Sequence, residues 1–309
     1  MTRNTRPLDA ILFLLQFATV SVLWGRAWQH WFWDVPFRSF FWDEALLRGF
    51  VENQLNWDWS AYATSPEMDA FFWKLSVGLG AFYFFAGVLA LFIRRLPRWA
   101  RFPLPLASFS LFLLALLYFK SKFYSVAELF EYALQIGSPI FLVIYTRIGT
   151  ISDRFRRQIQ LAISVTFIAH GLYAIGYYPR PGHFTAMVIE ILGLSDELAN
   201  QFLVIAGILD FVAAVIIWFP GLFRVTGLAY CFTWGLATAV ARIWANFYPS
   251  MWQESLFQYF HEFLYRVPHF VIPLALLVWW SQEPLRREED LIARKQRLMA
   301  RQTKEKTVK

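Results

Sequence analysis

Long apolar runs separated by short charged segments dominate the sequence. Eight of these runs approach the roughly 20 residues that a helix needs to cross the hydrocarbon core of a bilayer. The chain is therefore expected to be an all-α polytopic membrane protein with about eight transmembrane helices. The runs lie near residues 8–28, 70–93, 103–119, 126–146, 158–178, 199–219, 222–244 and 262–281.

The charged segments between the runs predict an orientation. Arginine-rich linkers at 94–101 and 147–157 alternate with acidic or neutral segments, and a charged tail follows at 284–309. Because cytoplasmic loops are enriched in Lys and Arg, both termini are predicted to be cytoplasmic, in a bacterial inner (plasma) membrane. The long acidic and aromatic segment 29–69 is expected to form an outward layer of short interfacial helices. Shorter outer segments are expected at 183–190, after the fifth run, and at 255–260, before the eighth.

Composition supports the membrane interpretation and excludes several function classes. Hydrophobic residues make up 58% of the chain and aromatic residues 20%, more than one soluble core requires. The net charge of +7 lies in loops beside the spans, so the predicted partner is the lipid bilayer and not a nucleic acid. A single cysteine, Cys231, excludes an intrachain disulfide and a thiolate-rich metal centre. The sequence contains no Walker loop, GxGxxG, HExxH or GxSxG motif.

The second and sixth runs align without gaps from Gly80 and Gly207. The fourth and eighth runs place Glu131 at the position of Glu262, and Gln135 at that of Arg266. An even number of spans per copy would give parallel repeats. We therefore predict a four-helix unit at 1–150 and a second at 151–283, although apolar helices also resemble one another by chance.

This arrangement resembles the DoxX/DoxD-like membrane family. Each unit has a first run ending near glycine and aromatic residues (Trp24-Gly25 and His170-Gly171), an outer helix and a small-residue second run. The resemblance implies a membrane quinone, and a redox partner subunit, as candidate partners. A more distant resemblance is to the membrane region of vitamin-K-dependent carboxylase-like (HTTM) proteins. Neither resemblance supplies a catalytic motif that can be carried over.

Ionisable residues within the predicted spans identify a candidate site, because charge inside a membrane is costly and is typically functional. His170 and His269 are expected at nearly equal depth, with Asp210 close to mid-membrane. We expect these residues to line a polar pocket that opens to the outside. The other candidates are Arg242, Glu262, Arg266 and, in the first unit, Arg26 and Glu131.

The leading hypothesis is proton-coupled chemistry with a quinone. His170 and His269 would contact the quinone, while Asp210 and Glu262 would relay protons. Arg242 would stabilise developing negative charge. Arg266, Glu131 and Arg26 are predicted to bind the substrate, and no metal site is predicted.

Three alternatives remain open at this stage. The charged residues could serve only to pin helices together through ion pairs. His170 and His269 could ligate haem b as a bis-histidine pair, which is the less favoured cofactor. The third alternative is a transporter or lipid-handling protein without redox chemistry, with an anionic substrate near Arg242 and Arg266.

Overall fold

The computed structural model describes residues 7–282, which form α-helices joined by short loops, with no strand among them. Two short 3₁₀ helices, at Trp99–Arg101 and Pro249–Met251, complete the described part. The predicted tail at 284–309 lies outside the described residues. The helices are α1 (Pro7–Phe32), α2 (Arg38–Phe41), α3 (Glu44–Gln54), α4 (Trp59–Ala63), α5 (Pro66–Leu91), α6 (Pro103–Ser121), α7 (Val126–Glu131), α8 (Ala133–Ile148), α9 (Asp153–Ala174), α10 (Gly182–Leu192), α11 (Asp196–Ile216), α12 (Leu222–Trp244) and α13 (Trp252–Ser281).

Six helical segments within residues 7–282 are long and apolar enough to cross a membrane. This finding confirms the prediction of a helical membrane-type chain whose apolar surface suits contact with lipid. The segments are Ala10–Phe32, Pro66–Leu91, Trp99–Ser121, Val126–Ile148, Asp196–Ile216 and Pro249–Ser281.

The remaining two predicted spans fall on α9 and α12. These helices have 22 and 23 residues, so their length would suffice. Both are more polar than the six apolar segments: α9 begins with Asp153-Arg154-Phe155-Arg156-Arg157, and α12 carries arginine near each end. The eight-span topology therefore stays a prediction.

One predicted boundary was wrong. The segment 255–260 is not a separate outer segment, because α13 already begins at Trp252 and is continuous through Pro268 and Pro273. Its first turns pack on α1, where the Phe257 ring lies 5.5 Å from that of Trp28. The predicted span at 126–146 lies within the apolar segment Val126–Ile148, in which Tyr132 separates α7 from α8.

Three short helices, α2, α3 and α4, occupy the long segment 29–69, and α10 covers the predicted outer segment 183–190. The side chain of Asp43 caps α3 by accepting from the backbone N–H of Leu46 at 3.0 Å. The Lys120 ammonium, at the end of α6, donates to the carboxylate of Asp43 and to the backbone oxygen of Ser39. These bonds fix the short helices against the long ones.

Close packing of α1 on α13 brings the first and last described helices together. A Cβ atom at Gly25 would lie 2.8 Å from Leu264 Cβ and 2.8 Å from the backbone nitrogen of Tyr265. Only glycine permits this approach, since real Cβ contacts essentially never fall below about 3 Å. Because Arg26 follows Gly25 and Arg266 follows Tyr265, this crossing places two of the candidate arginines next to the α1–α13 interface.

Candidate functional site

Two arginines and two glutamates from three helices form one ion-pair network. Arg242 Nη1 of α12 lies 3.0 Å from Glu262 Oε2 of α13. Arg266, one turn further along α13, lies 3.5 Å from the same Glu262 oxygen and 3.4 Å from Glu131 Oε1 of α7. The Arg266 contacts are longer than the 2.7–2.9 Å typical of charge-assisted hydrogen bonds.

Two cavities meet at this network. The apolar cavity has a volume of about 240 Å³, and helices α7 and α9 to α13 form its walls. Its polar lining residues are Glu131, His170, Asp210, Thr238, Arg242 and Arg266. The charged cavity, of about 720 Å³, is lined by Arg26, Glu128, Glu262, Tyr265 and residues of the α9–α10 connection. Both cavities are lined by Glu131, Phe184, Arg242 and Arg266. An apolar compartment thus adjoins a charged compartment across a layer of arginine and glutamate side chains.

The two candidate histidines lie side by side. Their ring centroids are 5.1 Å apart, with His170 on α9 and His269 on α13. His170 lines the apolar cavity, whereas His269 is 1% exposed and lines neither cavity. The Nε2 atom of His269 has no hydrogen-bond partner among the described residues. Of these two histidines, His170 is therefore the one placed to touch a ligand directly.

The histidine pair does not fit a bis-histidine haem. Two axial imidazoles bind one iron from opposite faces, so that the macrocycle separates them. The rings of His170 and His269 are instead in contact with each other, which leaves no space for a macrocycle between them. We therefore derive no chemistry through haem at this site.

Asp210 is separate from the ion-pair network. It is 1% exposed on α11 and lines the apolar cavity together with His170. Its Oδ1 accepts a hydrogen bond from the hydroxyl of Tyr230 at 3.0 Å, and the described residues give it no ion pair. Asp210 and His170 are thus the two candidate residues that belong to the apolar cavity alone.

Arg26 lines the charged cavity and is 2% exposed. Its guanidinium donates to the side-chain oxygens of Gln29 and Gln135, both at 2.6 Å. The same group lies 4.0 Å from the ring centroid of Tyr265 and 4.6 Å from that of Tyr132. Arg26 is therefore held by amides and aromatic faces, and it forms no ion pair within residues 7–282.

Several residues of this region were not predicted from the sequence. Tyr132 and Tyr265 enclose Arg26, Phe184 lines both cavities, and Tyr230 binds Asp210. Neutral aromatic residues carry little signal in a chain that is 20% aromatic. The position of Tyr265 directly before Arg266 was the one available hint.

Comparison of the chain with protein-family models, curated proteins and solved structures finds no match. The class of protein is therefore defined by the fold and the site alone: a helical membrane-type protein with adjoining apolar and charged cavities.

Proposed function

We propose that this chain is an integral membrane protein that binds an amphipathic, membrane-soluble molecule and acts in lipid handling or transport. The polar head of the ligand would lie at Glu131, Arg242 and Arg266, and its apolar part in the apolar cavity. The observation that carries the proposal is that these three residues and Phe184 line both cavities. Ligand sites in proteins are typically apolar clefts with a few convergent polar groups.

The proposed topology has eight spans in two parallel four-helix units, 1–150 and 151–283, with both termini in the cytoplasm of a bacterial cell. Helix pairings support it: α1 packs on α5 and α13, while α9 packs on α11 and α7. Gln16 of α1 donates to the backbone oxygen of Ala90, and Gln160 of α9 donates to that of Ile217. Ala90 and Ile217 are equivalent positions in the gapless alignment of Gly80 with Gly207. We also propose that the chain is a DoxX/DoxD-like protein, on the spacing and small residues of its two units.

Blocking the apolar cavity is the direct test of ligand binding. Ala237 of α12 lines the apolar cavity, so phenylalanine at this position would fill space that the ligand's chain needs. If two methylene groups are displaced at about 0.8 kcal/mol each, Ala237→Phe is expected to weaken binding by about tenfold. The measurement is equilibrium binding of 12-carbon monoacylglycerol, and of its phosphate ester, to the full chain in phosphatidylcholine nanodiscs.

Val240→Phe is the matched control for this experiment. Val240 lies on the same helix, is 38% exposed and lines neither cavity. Its substitution is expected to leave both affinities unchanged. Equal affinities for wild type and Ala237→Phe, or no binding of either amphiphile to wild type, would contradict the proposal.

A membrane quinone is the second candidate ligand, and His170 is the observation that favours it. An imidazole N–H at the boundary of an apolar cavity can donate to a quinone carbonyl, and the neighbouring Arg242 can stabilise negative charge on that oxygen. A bound quinone would supply two-electron, two-proton redox chemistry. Asp210 would then be the nearest candidate to exchange a proton, because it lines the same cavity.

The quinone hypothesis predicts that the purified protein carries quinone in a 1:1 ratio, and that His170→Ala loses it. The organic extract of each protein would be examined by absorption spectroscopy before and after borohydride reduction. His183→Ala serves as the matched control, since His183 lines only the charged cavity. An extract of wild type without quinone would leave the amphiphile proposal standing and remove the redox one.

A further inference from the structure

Arg26 is a buried cation without a carboxylate partner. Two of the arginines that line the charged cavity, Arg242 and Arg266, pair with Glu131 and Glu262, whereas Arg26 pairs with none of the described carboxylates. Its hydrogen-bond partners are the neutral amides of Gln29 and Gln135. An intramembrane ionisable residue marks a functional site by default, because leaving it there costs several kcal/mol.

The side chains around Arg26 carry hydrogen-bond donors that have no acceptor. The Nε2 atom of Gln135, a residue that is fully buried, has no hydrogen-bond partner among residues 7–282. Tyr118 accepts from Gln29 Nε2 at 2.6 Å, so its own hydroxyl proton is left to donate. The guanidinium of Arg26, the amide of Gln135 and the phenol of Tyr118 therefore keep unused hydrogen-bond donors.

The side chains that line the charged cavity also carry a net positive charge. Five cationic side chains and three carboxylates line it, which leaves two positive charges uncompensated. The cations are Arg26, Lys122, Arg180, Arg242 and Arg266, and the carboxylates are Glu128, Glu131 and Glu262. A cation excess in a confined, partly apolar space attracts an anion strongly.

We propose that Arg26 and its tyrosine cage, formed by Tyr118, Tyr132 and Tyr265, bind the oxyanion head of the ligand, a phosphate or carboxylate. This inference rests on the proposed amphiphile-binding function and names its substrate class: an anionic single-chain lipid, with its chain in the apolar cavity. The fixed fork of a guanidinium matches two oxygens of a phosphate or carboxylate. Stacking on Tyr132 and Tyr265 holds the fork in one orientation, so that little side-chain entropy is lost on binding.

The test compares two amphiphiles that differ only in the anion. The 12-carbon monoacylglycerol and its phosphate ester would be titrated into the wild-type chain in phosphatidylcholine nanodiscs. We expect the phosphate ester to bind at least about tenfold more tightly, and this preference to decrease as ionic strength is raised. Arg26→Gln should abolish the preference, and Arg26→Lys should retain part of it.

Arg48→Gln is the matched control, because Arg48 lies exposed on α3 and lines neither cavity. Competition with inorganic phosphate separates the two sources of the oxyanion. If free phosphate displaces the ester, the subsite binds the anion itself, and if it does not, the lipid chain is needed to deliver the anion. Either result supports the subsite.

The outcomes distinguish this inference from the function on which it rests. If wild type binds both amphiphiles equally, or if Arg26→Gln keeps the preference, the anion subsite is wrong and the amphiphile-binding proposal stands. If wild type binds neither amphiphile, both fail. Should Arg26→Gln not fold, Arg26→Lys decides the question: a reduced preference supports the subsite, and an unchanged preference contradicts it.

Discussion

Substitution of Gly25 by valine is expected to lower the free energy of unfolding by about 3 kcal/mol, the upper end of typical overpacking costs. Even the first added carbon would lie 2.8 Å from the Tyr265 backbone nitrogen and 3.0 Å from the backbone oxygen of His261. Backbone atoms of a packed helix cannot rotate away as a flexible side chain can. The α1 and α13 helices must therefore move apart, which would also separate Arg26 from the Tyr265 ring.

Gly78→Val is the matched control, because a Cβ at Gly78, in the middle of α5, would meet nothing within 4 Å. Valine has a higher helix propensity than glycine, so this variant should be as stable as wild type or slightly more stable. Both variants would be unfolded in mixed micelles by titration with a denaturing detergent. A wild-type stability for Gly25→Val would show that α1 and α13 do not cross this closely.

The sequence predicted the helical elements well where composition alone decides them. The run at 222–244 coincides with α12, and the run at 70–93 overlaps α5 over most of its length. The error arose where tertiary contacts decide. The first turns of α13 are polar enough to appear as a separate outer segment, yet Phe257 packs on Trp28 of α1 and His261 on Trp33, directly after α1, within one continuous helix.

The candidate site was predictable as a list of charges but not as an arrangement. His170 and His269, expected at nearly equal depth, have ring centroids 5.1 Å apart. Depth carries no information on which face of a helix a side chain occupies, so the sequence could not separate Asp210 from the arginines. It also could not reveal that Arg26 is surrounded by tyrosines, because that cage needs α1, α6, α7, α8 and α13 to pack together first.

Replacing Arg266 by methionine is expected to cost about 3 kcal/mol of unfolding free energy, the range measured when one partner of a buried pair is removed. Arg266 is the one residue that bridges Glu131 and Glu262 among the described ion pairs. Glu262 would keep Arg242 as a partner, but Glu131 would keep none of its described ion pairs and has a side chain only 16% exposed. Most of the cost should therefore come from the stranded carboxylate of Glu131. The measurement is the free energy of unfolding in mixed micelles.

A double-mutant cycle isolates that stranded charge. If the cost arises at Glu131, adding Glu131→Gln to Arg266→Met should recover stability, whereas Glu131→Gln alone should destabilise by stranding part of Arg266's charge. Arg48→Met, which breaks two exposed ion pairs on α3, should change stability little and controls for the loss of an arginine as such.

Additive effects of the two substitutions would mean that Arg266 and Glu131 do not interact across α7 and α13. A non-additive result would show instead that the boundary between the two cavities is held by this pair, and therefore that a ligand head binding to Arg266 must compete with Glu131. That competition favours ligands that carry negative charge themselves, since a neutral head cannot replace the carboxylate that it displaces.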